Sequence, residues 1–241
     1  MRSRNLHFDG SGQAVVVIDS GYDIIHPNDN VIFELDFNGN DQYAFNGQQN
    51  SHGGAVAAIV NQYASDADII HLKVTPDFLD GNIRDSDIEA ALKWCIENAE
   101  TFNVAAVNIS LGTSTTFSNY TTSFLTQEIN DLYSLGIPTI ISSGNASDPF
   151  GIASPANNSP LAFVVGAVDG NLTASSFTNK HPDLIDVYAL GTDTPVDSSQ
   201  GINLLNGTSF AAPQVAGAIA ALQEASIELN GEKLGFEEIS N

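Results

Sequence analysis

The sequence predicts an α/β fold in which a mainly parallel sheet carries helices on both faces. Short, almost continuously apolar runs alternate along the chain with longer segments of helical periodicity. This alternation is typical of parallel strands joined by helical crossovers. With 241 residues and 42% hydrophobic content, the chain can form one large core. We therefore expect a single domain over residues 1–241, with its core at about 12–225 and ends that suggest a domain cut from a longer chain.

Six runs are predicted as strands because they are rich in Val, Ile, Leu and Ala. They lack the polar alternation of a strand that is buried on one face only, which indicates strands covered on both faces. These runs are 14–18, 68–74, 104–110, 137–142, 162–168 and 186–190.

Four segments are predicted as helices, at 53–62, 85–99, 121–135 and 210–225. In the second, apolar residues recur every three or four positions and form one stripe that includes Cys95, the single cysteine. Ser86 and Glu89 predict a capping box at its start. Gly136, followed by Pro138, predicts the end of the third helix.

The charge of the chain excludes several classes of partner. There are 29 acidic and 7 basic residues, a net charge of -22. Such a chain repels phosphate backbones and anionic lipid, so we expect no nucleic-acid or membrane partner. No apolar run is long enough for a transmembrane helix. One cysteine excludes an internal disulfide, and no zinc-binding spacing of His or Cys is present.

Four polar residues stand where an apolar strand ends or a helix begins, the places where α/β folds bind ligands. Asp19 and Asn145 each follow a predicted strand, while His52 and Ser209 each begin a predicted helix. Singly, each has an ordinary explanation as a turn residue, a structural histidine or a helix cap. Together they supply an orienting carboxylate, a base, an oxyanion donor and a nucleophile, the groups that one acyl-transfer site needs.

Four blocks surround these residues: Ile18-Asp19-Ser20-Gly21, Ser51-His52-Gly53, Ser143-Gly144-Asn145 and Gly207-Thr208-Ser209-Phe210-Ala211-Ala212-Pro213. They resemble the signature blocks of the subtilase family of serine proteases. The successive separations from Asp19 to His52, Asn145 and Ser209 are 33, 93 and 64 residues, similar to the family's. The resemblance covers roughly residues 12–225. Gly54 stands where the family usually has Thr.

This resemblance implies a three-layer fold with a roughly seven-stranded sheet and the activity of a serine endopeptidase. Asp19, His52 and Ser209 would form its catalytic triad, and Asn145 would stabilise the oxyanion. A polypeptide substrate would bind in an extended conformation. The residues expected to bind it are Ser110, Leu111 and Gly112 on one wall and Ser142, Ser143 and Gly144 on the other.

The resemblance also suggests a structural calcium ion, although the chemistry itself requires no cofactor. The candidate ligands are Asp36, Asn38, Asn40 and Asp41, in a loop that fails the EF-hand pattern because its twelfth position is Gly47. A plain polar turn is the alternative.

Two other functions remain open on the same fold, a peptide ligase or macrocyclase and a non-catalytic binding domain. We expect a monomer and a secreted or extracytoplasmic protein, although the chain turns polar too early for a signal peptide. A pro-region or inhibitor acting in trans is a further expected partner.

Overall fold

The computed structural model describes residues 7–22, 30–39, 43–45, 51–76, 83–198 and 200–239. Its strands are β1 Ala14–Asp19, β2 Val31–Asp36, β3 Asp68–Lys73, β4 Val104–Ile109, β5 Thr116–Phe117, β6 Thr139–Ser142, β7 Ile152–Ala153, β8 Phe163–Val168, β9 Val187–Leu190, β10 Thr194–Ser198 and β11 Gly201–Leu205. Its helices are α1 His52–Tyr63, α2 Asp85–Asn98, α3 Leu125–Ser134, α4 Thr208–Asn230 and α5 Phe236–Ile239, with a 3₁₀ turn at Ala156–Asn158.

Seven strands form one sheet in the order β2-β3-β1-β4-β6-β8-β9, and every neighbouring pair is parallel. This confirms the predicted α/β fold. The chain adds β2 and β3 on one side of β1 and the later strands on the other side. The strand order therefore reverses between β1 and β4, and a crevice at the carboxyl ends of these strands is the expected ligand site.

The two faces of the sheet are covered by different helices. Val15 and Val17 of β1 belong to a core that includes buried residues of α1 and α4, while Val16 and Ile18 belong to a core with residues of α2 and α3. Burial on both faces explains why the central strands are continuously apolar. No helix in the described part of the chain has the length and apolarity to cross a membrane.

Helices α1 and α4 lie against each other at Gly217. A Cβ atom at this position would lie 2.8 Å from the carbonyl oxygen of Val60 and 2.9 Å from Cβ of Tyr63. These distances are too short for a real Cβ contact, so the glycine sets how closely the two backbones approach.

Several elements differ from the sequence-based prediction. The edge strand β2 and the β10–β11 hairpin were not predicted, because their residues are only partly buried. Helix α4 continues to Asn230, beyond the predicted end at 225, and stops at Gly231 in the left-handed conformation. Helix α3 begins at Leu125 rather than at 121.

The predicted capping box of α2 is wrong. Helix α2 begins at Asp85 after Arg84, which makes no side-chain capping bond. Ser86 is already inside the helix, and Glu89 pairs with Lys93 instead. Two acidic residues in the first turn favour this end of the helix through the dipole.

Candidate active site

Asp19 and His52 form a hydrogen-bonded pair at the carboxyl edge of the sheet. Asp19 is the last residue of β1 and is buried, and its Oδ1 lies 2.8 Å from Nδ1 of His52. The same oxygen accepts a hydrogen bond from the backbone N–H of Ser20 at 2.7 Å. The other oxygen, Oδ2, is buried without a hydrogen-bond partner among the described residues.

The pair perturbs the pKa of both groups. Burial alone would raise the pKa of the Asp19 carboxyl, but the charge and hydrogen bond of His52 hold this pKa below its usual value. Burial alone would lower the pKa of His52, but the charge and hydrogen bond of Asp19 raise it. With Nδ1 directed to Asp19, the neutral ring keeps Nε2 as its proton acceptor.

Close backbone packing brings the two side chains together. A Cβ atom on Gly53 would lie 2.2 Å from the carbonyl oxygen of Gly21, so only glycine lets the start of α1 come this close to the end of β1. Ser20 Oγ accepts a hydrogen bond from the backbone N–H of Gly53 at 3.0 Å. Ser51 caps the first turn of α1 with its Oγ. His52 is thus the first residue of a helix anchored to the strand that ends in Asp19.

Ser209 lies in the first turn of α4 and forms reciprocal hydrogen bonds with Ser110. Its Oγ donates to the Ser110 carbonyl at 2.9 Å, and the Ser110 hydroxyl donates to the Ser209 carbonyl at 2.9 Å. The Ser209 carbonyl is available because Pro213, four residues later, has no N–H. Because α4 begins at Thr208 rather than at the predicted position 210, Pro213 is its sixth residue and lies beyond the first turn.

The Ser209 hydroxyl is therefore directed to Ser110 rather than to His52 in this structure. Ser209 and His52 nevertheless line the same cleft. A rotation about the Cα–Cβ bond of Ser209 would release its hydroxyl from the carbonyl, which is an ordinary change between staggered rotamers.

Thr208 fixes the side chain of Asn145, an exposed residue of the loop after β6. Oδ1 of Asn145 accepts hydrogen bonds from the backbone N–H of Thr208 at 2.9 Å and from its Oγ1 at 3.0 Å. Because the oxygen is occupied in this way, the Nδ2 donor of Asn145 remains available to the cleft. The backbone N–H of Ser209 is a second donor, since N–H groups in the first turn of a helix have no acceptor within it.

These groups line a cleft of about 420 Å³. His52 is the one titratable side chain among the described residues that line it. Predicted wall residues Ser110, Leu111, Gly112, Ser142 and Gly144 all lie in the lining. The lining residues that sequence reasoning missed are Ile83, Thr113, Ser114, Ala146, Ala153 and Thr208.

Ser143 does not line the cleft, contrary to the prediction. It is fully buried behind the wall, and its Oγ donates to the carbonyl of Asn179 at 3.4 Å. The alternation of side chains along an extended segment explains the difference, because Ser142 and Ser143 point in opposite directions.

The described part of the predicted calcium loop does not offer a free carboxylate. Oδ2 of Asp36 accepts a hydrogen bond from the buried ammonium of Lys73 at 2.6 Å, and Oδ1 accepts from the backbone of Asn38 and Gly39. The amide of Asn38 donates to Asp87 at 2.7 Å. Both carboxylate oxygens of Asp36 thus already accept hydrogen bonds from the protein. Asn40 and Asp41 lie outside the described residues, so calcium in this loop stays a prediction.

The sequence is similar to fungal proteases over most of its length. It is 30% identical over 227 residues to subtilisin-like protease 2 of Pseudogymnoascus destructans, a match covering 88% of this chain and 52% of that relative. It is also 30% identical over 229 residues to a cuticle-degrading serine protease of Arthrobotrys oligospora, covering 90% of this chain and 53% of that one. The chain thus spans about half the length of these relatives.

Solved structures share the fold. A cold-adapted subtilisin-like serine proteinase superposes with a TM-score of 0.79 at 25% identity, covering 100% of this chain and 84% of that one. A lanthipeptide protease superposes with a TM-score of 0.81 at 20% identity, covering 97% and 79%. The sequence profile of the subtilase family matches residues 10–235. The chain therefore belongs to the subtilase family.

Proposed function

We propose that this chain is a serine endopeptidase that cleaves peptide bonds through an acyl-enzyme. The observation that carries the proposal is the hydrogen-bonded pair of Asp19 and His52 in one cleft with Ser209 and Asn145. Membership of the subtilase family, and relatives named as proteases, support the same activity. A non-catalytic binding domain would not need all four groups.

In the first step, the Oγ of Ser209 attacks the carbonyl carbon of the scissile peptide while its proton passes to Nε2 of His52. Asp19 keeps the imidazole in the tautomer that accepts this proton and stabilises the imidazolium that forms. The hydroxyl must first leave the Ser110 carbonyl, to which it donates in this structure.

The tetrahedral intermediate places a negative charge on the former carbonyl oxygen. The Nδ2 of Asn145 and the backbone N–H of Ser209 are the donors proposed to stabilise it, helped by the positive end of the α4 dipole. His52 then gives its proton to the departing amine, and water releases the acyl group by the reverse sequence. Transfer to an amine instead of water would make the chain a ligase.

The proposed substrate is a polypeptide bound in an extended conformation along Ser110, Leu111 and Gly112. Its first specificity pocket would lie beside Ser142 and Gly144, where the lining side chains are small and uncharged. We therefore expect cleavage after uncharged side chains. A peptide library analysed by mass spectrometry measures this preference, and the same spectra separate hydrolysis from transfer to an amine.

A fluorophosphonate probe tests the nucleophile. The unmodified chain should be labelled at Ser209, and Ser209→Ala should lose both labelling and peptide hydrolysis. Ser134→Ala is the matched control, because this exposed serine donates only to a carbonyl of its own helix. Labelling of Ser209→Ala at its former rate would exclude Ser209 as the nucleophile.

The pH dependence of kcat/KM tests the base. His52 is active when neutral, and its raised pKa places the half-maximal rate above pH 6.5. The rate should rise with pH through this value, and a flat profile between about pH 5 and 8 would argue against His52 as base.

We further propose that the protein acts outside the cytoplasm, as a monomer, and that a pro-region or inhibitor binds the same cleft in trans. The family resemblance supports both the location outside the cytoplasm and the binding of a pro-region or inhibitor. The large negative charge favours a protein that stays in solution without self-association. Fractionation of cells that express the protein, together with size-exclusion chromatography, tests location and oligomeric state.

A further inference from the structure

Asn179 holds the loop that carries Asn145. It lies in the connection between β8 and β9 and is fully buried. It is not among the residues that line the cleft, so it has no direct access to a substrate. Its hydrogen bonds nevertheless go mostly to the segment 143–148, on the far side of the cleft wall.

Both peptide groups that flank the Cα of Asn145 are bonded to Asn179. The backbone N–H of Asn179 donates to the Gly144 carbonyl at 2.9 Å, and Oδ1 accepts from the backbone N–H of Ala146 at 2.9 Å. A peptide group is planar, so fixing the planes on either side of a Cα atom fixes its two backbone dihedrals. Asn179 therefore determines the direction in which the Asn145 side chain leaves the backbone.

Further bonds extend this control along the loop. Oδ1 of Asn179 also accepts from the backbone N–H of Asp148 at 3.2 Å, and Nδ2 donates to the Ser143 carbonyl at 2.9 Å. Gly144 has a φ of +99°, and a Cβ atom there would lie 2.5 Å from Nδ2 of Asn179. Both the oxygen and the nitrogen of the Asn179 amide thus form hydrogen bonds with the loop. Gly144, which has no side chain, leaves the space that this amide occupies.

Thr208 and Asn179 act on different parts of the same residue. Thr208 orients the terminal amide of Asn145, as described above, whereas Asn179 orients the backbone from which the side chain starts. A donor in an oxyanion hole is effective only when it is aligned before the charge develops. Thr208 also accepts a hydrogen bond from the backbone N–H of Gly144 at 3.2 Å, so it restrains the start of this loop as well.

We propose that Asn179 is a positioning residue that preorganises the oxyanion hole through the loop bearing Asn145. This rests on the proposed function. Because the oxyanion exists only in the transition state, losing Asn179 should lower kcat and leave KM nearly unchanged. The loss should stay within the roughly 100- to 1,000-fold that an oxyanion donor itself contributes.

The test is a double-mutant cycle of Asn145→Ala and Asn179→Ala, with kcat and KM measured on a peptide substrate. We expect Asn179→Ala to lower kcat at least about 10-fold with KM within about threefold, and to add little in the Asn145→Ala background. Full additivity, or a folded Asn179→Ala with wild-type kcat, would overturn the proposal. If Asn179→Ala does not fold, Asn179→Asp, which keeps the acceptor oxygen, enters the same cycle under the same criteria.

Gln223→Ala is the matched control for stability. Gln223 is also a fully buried amide, and it bonds the backbone N–H and carbonyl of Leu234 at 2.8 and 3.0 Å. It lies fourteen residues beyond Ser209 on α4, about 21 Å along the helix. Its loss should destabilise the protein and leave kcat unchanged; an equal fall in kcat would show that any buried amide has this effect, and would overturn the proposal.

Hydrogen exchange separates failure of this inference from failure of the proposed function. If the wild-type chain neither hydrolyses peptides nor reacts with a fluorophosphonate, the proposed function fails. The exchange of the Ala146 and Asp148 amides then decides the positioning role. Faster exchange at these two amides in Asn179→Ala, with the sheet amides unchanged, supports it. Unchanged protection at both overturns it.

Discussion

Acidification should destabilise this protein through His71, a histidine with no part in the proposed chemistry. His71 lies on β3, is fully buried, and neither ring nitrogen has a hydrogen-bond partner among the described residues. The centroid of its ring lies 5.1 Å from the centroid of the Tyr22 ring. Burial lowers the pKa of His71 from 6.5 to about 4, although the nearby charge of Asp19 acts in the opposite direction.

The magnitude follows from the two pKa values. Between pH 6.5 and about 4 the unfolded chain binds a proton at residue 71 that the folded chain does not bind, so the free energy of unfolding falls as the pH falls. At about 1.4 kcal/mol per pKa unit, the full loss is about 3 kcal/mol. Most of this loss of unfolding free energy, about 2.5 kcal/mol, occurs between pH 7.5 and pH 4.5.

Other groups titrate nearby with different signs. The pKa of His52 is raised on folding, so its contribution is complete below pH 6.5 and is lost as the pH rises through the folded value. The lowered pKa of Asp19 gives a contribution that is lost only below about pH 3.8. A variant at His71 that retains both groups isolates the His71 contribution.

The assay is urea unfolding between about pH 7.5 and 4.5, with the Ser209→Ala background preventing self-digestion. At pH 7.5, His71→Leu should be at least as stable as its parent. Leucine is similar in volume to histidine, and the substitution removes two buried nitrogen atoms that have no hydrogen-bond partner among the described residues. Towards pH 4.5 it should become more stable than its parent by about a further 2.5 kcal/mol. Parallel stability curves for the two proteins would refute the reasoning.

Three other predictions concern packing and charge. Glu224→Gln should lower the free energy of unfolding by about 1–2 kcal/mol in urea melts, because the carboxylate accepts three backbone N–H groups of residues 9–11. Gly53→Ala should abolish hydrolysis and lower Tm, whereas the exposed Gly170→Ala should do neither, since its Cβ meets no atom within 4 Å. Lys73→Met should cost about 3–5 kcal/mol by leaving the buried Asp36 carboxylate without its ammonium, and Lys73→Met with Asp36→Leu should recover most of this in the same melts.

The sequence predicted the parts of the fold that are buried on both faces. Apart from Asp19 at the end of β1 and Asn108 in β4, these two strands are entirely apolar, so their runs were visible without knowledge of the fold. The edge strand β2 carries Glu34 and Asp36, which bond partners distant in the chain, and this made it indistinguishable from a loop. Local patterns cannot show an interaction that only the tertiary structure creates.

The same limit applies to the candidate site. Asp19, His52, Asn145 and Ser209 were found because each occupies a strand end or helix start within a characteristic motif. Asn179 gave no such signal, because an Asn in a polar loop is usually a turn residue. The hydroxyl bond from Ser209 to Ser110 was equally hidden, since it depends on the contact between α4 and the end of β4.

The meeting of α1 and α4 at Gly217 makes the alignment of the cleft a property of distant packing. His52 is the first residue of α1 and Ser209 is the second residue of α4, while the close contact at Gly217 lies about 12 Å further along α4. A bulkier residue at Gly217 would push α1 and α4 apart. Even a small change in the angle between the two helices would then move the His52 imidazole away from the Ser209 hydroxyl. Substitutions that are meant to change the cleft should therefore leave Gly217 unchanged, although this residue does not line the cleft.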